Sequence, residues 1–479
     1  MKLLHFPPIA SGLLIAIFAC FDCQAHGFGE QLELEIPLWL WLGGAGLTVV
    51  LSFAVVIDFL PRHFQSLDYP EIDITNNPVV RILTSNYSLW SMRVAVLLML
   101  ALVISAGVFG TQSAPDNIAP TAIWILFWVG VSFTSVLIGN FWRVINPLSS
   151  IYYLLFRHSK VNSLQDSEPP AWATVFLFAA FMYAEHLWPS ADVPRSIALL
   201  ALAYIIFCLG AMHKFGPANW LSNGEIFSMT FSIFGRFSAV RFSLSDDNKV
   251  KVYLRPPAIG LLGTLPSKSN LSLLIIMLLA GVTFDGWIET QTWDRFLFRQ
   301  AITFSDFFGI ELAMHLFNLL GMLLFPISFL SLFYLTCLIT KKLLVSDSFT
   351  SWQLVRHYAT SLMPIAIAYH FAHYATSFLI DGQAFFSLLS DPFGWGWNLF
   401  GTAQMGVNDT QFSARSLWYF VVFMIVVGHM LSVYLAHLVT LTISGSKSVA
   451  VRAGTPILLL MVIYTVLSLW VIAQPTVQG

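Results

Sequence analysis

Residues 309–340 read GIELAMHLFNLLGMLLFPISFLSLFYLTCLIT. After Glu311 the run holds no Asp, Glu, Lys or Arg until Lys341 follows it. At about 1.5 Å per residue, an apolar helix of this length exceeds the ~30 Å hydrocarbon core of a bilayer, and it has no face that water would wet. The same run opens with Glu311, His315 and Asn318, spaced i, i+4 and i+7 and therefore on one face of a helix. A membrane span with a polar stripe near one end is the element from which the fold is read.

Nine further apolar stretches resemble it in length: 37–60, 94–111, 119–140, 171–188, 196–213, 270–287, 352–381, 417–440 and 454–473. They predict an all-α, polytopic membrane bundle of about ten transmembrane helices, forming one domain over 26–479. Composition agrees. Hydrophobic residues make up 57% of the 479 and charged residues 10%, with a mean hydropathy of +0.75. A soluble domain carries roughly 25% charged residues, so this chain cannot clothe itself in a wetted surface. Residues 221–237 (LSNGEIFSMTFSIFGRF) are apolar but short, which predicts an interfacial or re-entrant helix. The net charge of −2 and the lack of a basic block exclude a nucleic-acid partner. Of the four cysteines, Cys20 and Cys23 fall in the presequence and Cys208 and Cys337 in spans, so no disulfide framework is implied.

The first 25 residues read as a signal peptide. Lys2 precedes an apolar run over 9–21, which is too short to cross a bilayer, and small residues at Cys23 and Ala25 suit cleavage after Ala25. Lipoprotein processing at Cys20 fits poorly beside bulky Phe18. His26 would then begin the mature chain, where its α-amine and imidazole could chelate copper, or simply form a frayed terminus. With that terminus outside and ten spans following, 19 of the 23 Lys and Arg lie on the cytoplasmic side, counting Lys2. Only Arg195, Arg295, Arg299 and Arg415 stay outside. This asymmetry predicts a multi-pass protein of the bacterial cytoplasmic (inner) membrane with both mature termini periplasmic.

Ionisable side chains inside spans are costly and therefore mark function. Here they are numerous. The fourth span ends on Glu185 and His186 and the sixth on Asp285. The seventh carries Glu311 and His315, the ninth His429. The eighth carries His370, His373, Ser377 and Asp381 at i, i+3, i+7 and i+11. The alternation of spans brings these groups to the outer half of the membrane, where imidazoles and carboxylates together form the ligand set of zinc, manganese, iron or copper. Blander readings are a packing histidine at His429, an i, i+4 hydrogen bond between Glu311 and His315, and a proton relay without metal. The aromatic loop 382–415 is an interfacial belt or a lid over an apolar ligand. Pro147 makes 139–147 (GNFWRVINP) a helix stop.

Several segments resemble a family of bacterial polytopic membrane proteins known as fenitrothion hydrolases. They are HGFGEQLELEIPLWLWLGGAGLTVVLSF (26–53), GNFWRVINP (139–147), LSNGEIFSMTFSIFGRF (221–237), LRPP (254–257), VTFDGW (282–287), AHYATSFLIDGQAFFSLLSDPFGWGWNLFG (372–401) and IYTVLSLWVIAQP (463–475). The similarity is collinear over nearly the whole mature chain. It implies hydrolysis of a hydrophobic organophosphorus triester with release of a nitrophenol, and it carries no family ligand set onto these residues. The leading expectation is therefore metal-assisted hydrolysis of a greasy small molecule drawn from the bilayer. His186, His315, His370, His373 and His429, with Glu185 or Glu311 and with terminal His26, would hold zinc, manganese or copper. Asp285 or Asp381 would serve as base. A metal- or proton-coupled transporter, or a haem held by His315 and His429, would use the same groups.

Overall fold

The computed structural model describes residues 25–28, 30–32, 36–59, 71–156, 168–244, 249–261, 269–344 and 349–474. The presequence, with Cys20 and Cys23, lies outside the described residues, and so does the side chain of His26. The backbone there forms strand β1 (Ala25–Phe28), paired antiparallel with β2 (Glu30–Leu32).

The rest is an all-α bundle. Eight helices among the described residues are long and apolar enough to cross a membrane. They are α1 (Leu38–Phe59), α2 (Asn86–Phe109), α3 (Ile118–Ile138), α5 (Pro194–Phe215), α7 (Ser269–Ile288), α9 (Ile310–Leu344), α11 (Ala414–Ser444) and α12 (Lys447–Ile472). The other two expected spans are helical but shorter. Helix α4 (Ala171–His186) has 16 residues, starting after Pro169-Pro170 and stopping short of Pro189. The 352–381 stretch is divided into a helix over Ser351–Tyr358, a 3₁₀ turn over Ala359–Leu362, and α10 (Met363–Leu379). Pro364 accounts for the division, because it has no N–H to give the carbonyl of Thr360 and its ring crowds that oxygen.

Two helices differ from the hydropathy reading. Helix α6 (Ile226–Phe237) is not spread on a surface; Ile226, Met229, Phe231, Ile233 and Phe234 are all buried, so this short apolar segment is an internal helix. Its start is fixed by Glu225, whose carboxylate accepts the N–H groups of Phe227 (2.9 Å) and Ser228 (2.6 Å) and the hydroxyl of Tyr204 (2.5 Å). Helix α8 (Gln291–Phe308) lies between the sixth and seventh spans. It carries Asp294, Arg295, Arg299 and Asp306, buries only Leu297 and Ala301, and ends at Gly309 with φ +74°. An amphipathic helix of this kind escapes a search for apolar runs.

The core gathers around α7. Fifteen of its 20 residues are buried, from Asn270 to Gly286, so it is a central helix rather than a lipid-facing one. Helices α9, α10, α11 and α12 supply most of the remaining core, with Phe333, Ile365, Ile367, Met461 and Tyr464 among the buried side chains. Gly428 lets α11 lie directly against α10, since a Cβ there would stand 2.7 Å from the carbonyl of Pro364.

The connections sort into two faces. Strands β3 (Ile72–Asp73), β5 (Val250–Leu254) and β4 (Val240–Leu244) form one antiparallel sheet in that order, so the loops before α2 and after α6 meet. On the same face the Arg241 guanidinium pairs with Glu71 in a fork and lies 4.3 Å from the Tyr253 ring centroid. Arg93 donates to the carbonyl of Val144 (2.8 Å). At the other end, Thr111 N–H donates to Phe393 (2.8 Å) and Ile118 N–H to Pro392 (3.2 Å), while Arg195 N–H meets Gln112 (3.0 Å). Loops that the charge asymmetry assigns to one side do meet each other.

Candidate metal centre

The site lies at the ends of three helices. Helix α4 terminates on Glu185 and His186, Asp285 lies in the last turn of α7 with Glu289 just beyond its end, and α10 contributes His373 and Tyr374 from its C-terminal half. Close approach is possible because Gly286 has no side chain. A Cβ there would stand 2.8 Å from a methyl of Val471 and 3.2 Å from the hydroxyl of Tyr369.

Asp285 is the hub. One carboxylate oxygen is 3.2 Å from His186 Nδ1, and the other is 2.7 Å from His373 Nε2. The Tyr374 hydroxyl is 2.9 Å from Asp285 Oδ2 and 2.9 Å from Glu185 Oε1. Glu185 Oε2 lies 3.6 Å from His186 Nε2, closing the ring of contacts. Asp285, Glu289 and His373 each present a ligand atom within 4.8 Å of the others, so this group can hold a metal ion. Asp285 is buried, His373 half-buried and Glu289 exposed at the mouth. These residues open into a cavity of about 490 Å³, whose wall also includes Trp124, Asp192 and Ser377.

The donor set fits a cation. Glu185 and Asp285 converge with His186 and His373 where the side chains are largely shielded, Glu289 stands exposed beside them, and isolated buried charge of one sign is costly. The Tyr374 phenol has one proton and cannot donate to Glu185 and Asp285 at once; a second proton or a cation must balance the pair. Imidazole nitrogen with carboxylate oxygen suits zinc or manganese. Asp285 beside His186 gives the carboxylate–histidine arrangement that orients ligands around metals.

Of the residues singled out in the sequence, Glu185, His186, Asp285 and His373 are therefore brought together. The others are placed elsewhere. His370, one turn before His373, is fully buried among the rings of Trp128 (5.2 Å), Phe133 (5.8 Å), Phe234 (5.6 Å) and Tyr374 (4.7 Å), and neither ring nitrogen has a hydrogen-bond partner among the described residues. His315 meets the Tyr183 hydroxyl at 3.3 Å. The Nδ1 atom of His429 is 2.7 Å from the Ile425 carbonyl in its own helix. Glu311 is exposed in the first turn of α9, and Asp381 is exposed in a 3₁₀ turn beyond α10. Reading the sequence missed Glu289 and Tyr374. Glu289 was recoverable as the i+4 partner of Asp285, just past the end of the apolar run.

No family model, curated protein or solved structure matches this chain.

Proposed function

We propose that the chain is a membrane-bound, metal-dependent hydrolase of hydrophobic organophosphorus triesters, working in the periplasmic half of a ten-span bundle of the bacterial inner membrane after signal-peptide removal. The observation that carries this reading is the convergence of Asp285, Glu289 and His373 on one point beside a cavity. A divalent cation held there would supply Lewis acidity toward a phosphoryl oxygen or thiophosphoryl sulfur and acidify a water. Asp285 and His373 would hold it from the interior, and Glu289 from the mouth. His186 fixes the orientation of Asp285, so its role is positioning. Glu185, joined to Asp285 through the Tyr374 hydroxyl, is placed to accept a proton leaving the centre. A nitrophenolate departs without protonation, so no separate acid is required.

One observation favours a second reading. The Glu185–Tyr374–Asp285–His373 contacts are continuous, as a proton path in a coupled transporter would be. Turnover separates the two. Purified protein loaded with zinc or manganese should release nitrophenolate from fenitrothion, and Asp285→Asn should lower kcat/KM by at least two orders of magnitude. Accumulation of the compound in vesicles, intact and driven by a pH gradient, would favour transport instead.

A further inference from the structure

A second chamber of about 390 Å³ lies among α2, α3, α4, α5 and α6, within the size range of small-ligand pockets. Its wall is aliphatic and aromatic. The two ionisable side chains in it, Tyr204 and Glu225, are bonded to each other, and Glu225 also accepts two backbone N–H groups. Apart from the buried indole N–H of Trp142, which has no partner among the described residues, the described wall offers no polar side-chain group that is not already bonded, so an uncharged, apolar occupant fits there.

Position links it to the metal centre. Trp124 borders both cavities, with its indole N–H tied to the Ala191 carbonyl at 2.7 Å. On α4, Ala184 faces the apolar chamber while its neighbours Glu185 and His186 face the polar one. The Trp124 segment is also wound as a π-helix over Thr121–Gly130, a rare conformation that is frequent at functional sites. Ala180 and Leu200 line the chamber yet are exposed, so its mouth opens on the membrane-facing side of the bundle.

We propose that this chamber is the subsite for an uncharged aryl or alkyl group of a membrane-partitioned amphiphile, whose polar group lies across Trp124 in the cavity of Asp285, Glu289 and His373. The two-cavity assignment rests on the hydrolase reading; occupancy of the chamber by an apolar group does not. A solute already dissolved in lipid gains no hydrophobic free energy by entering a protein, so packing inside the chamber and the anchor at its polar end must select it. This gives the protein a reason to choose among greasy esters by the shape of the non-reacting substituent.

The test uses the full-length protein in lipid nanodiscs and a small aryl diazirine that partitions into bilayers. Carbene adducts are mapped by mass spectrometry, with and without excess fenitrothion, alongside metal content and nitrophenolate release. Adducts should appear on Phe127, Phe181 and Tyr204. Excess fenitrothion and Ala201→Trp should each reduce them at least fivefold, with metal content unchanged. If the tryptophan variant does not fold, Ala201→Leu and the competition experiment carry the same comparison. Adducts that neither competitor nor substitution reduces would mean that the chamber holds bilayer chains only, and no adducts at these residues would remove the chamber as a site; either result overturns the proposal. Competed labelling without any hydrolysis would keep the apolar subsite and remove the hydrolase reading.

Discussion

His370 and His373 are one turn apart and carry the same signal in sequence, yet their surroundings differ. His373 meets Asp285 at 2.7 Å, whereas both ring nitrogens of His370, inside an aromatic sleeve, are unpaired among the described residues. An unsatisfied buried polar group costs ~1–3 kcal/mol, so His370→Phe should keep metal content and raise stability by about 1 kcal/mol. Thermal unfolding in detergent with parallel metal analysis checks this; loss of metal would return His370 to the centre. His186→Ala should leave the ligands in place but weaken zinc affinity roughly 10–100-fold, as expected for a residue that orients a ligand. What sequence makes legible at this scale is chemical type. Asp285, His186 and His373 stand out because ionisable groups are rare in apolar runs. Tyr374 does not, since tyrosine is ordinary near a membrane interface, and Glu289 falls outside the apolar run. Spacing defines a shared face but not the direction that face takes in the bundle, which is why His315 shared the pattern without joining the cluster.

At the scale of elements, hydropathy located the eight described helices that are long and apolar enough to cross a membrane, and missed what depends on amphipathic pattern or local backbone chemistry. The start of α2 lies at Asn86, well before the apolar run, because Ser85 accepts the N–H of Ser88 and Arg93 can bond the Val144 carbonyl across the face. Helix α8 was invisible because its charges lower the window average. The internal α6 depends on Glu225, which holds two N–H groups and the Tyr204 hydroxyl. Glu225→Ala removes the cap and takes one of its partners from the Tyr204 hydroxyl, so a loss of about 0.5–2 kcal/mol is expected. Glu225→Gln, which keeps an acceptor, should lose less. Chemical denaturation of the detergent-solubilised variants measures both, and equal losses would show that the charge rather than the capping geometry matters.

Over the whole molecule, the two faces defined by contacts follow the charge asymmetry: the β3–β5–β4 sheet joins two Arg/Lys-rich loops, while the Thr111–Phe393 contact joins two loops poor in them. Alkaline phosphatase fused at Gly479 should therefore be active in the periplasm, and fusions within 341–351 should be inactive; the reverse pattern would overturn the ten-span orientation. With that orientation, the placement of Glu185, His186, Asp285 and His373 towards one end of three helices would put the centre in the outer half of the bundle.

The central claim is that Asp285, Glu289 and His373 bind a metal. Metal analysis of the purified protein after equilibration with zinc, before and after substitution, tests it most directly. The account predicts about one equivalent in the wild type, bound more tightly as pH rises because the ligands must shed protons, and little in His373→Ala or Asp285→Asn. Full occupancy in both variants, or a wild type that takes up no metal at any pH where it is folded, would contradict it.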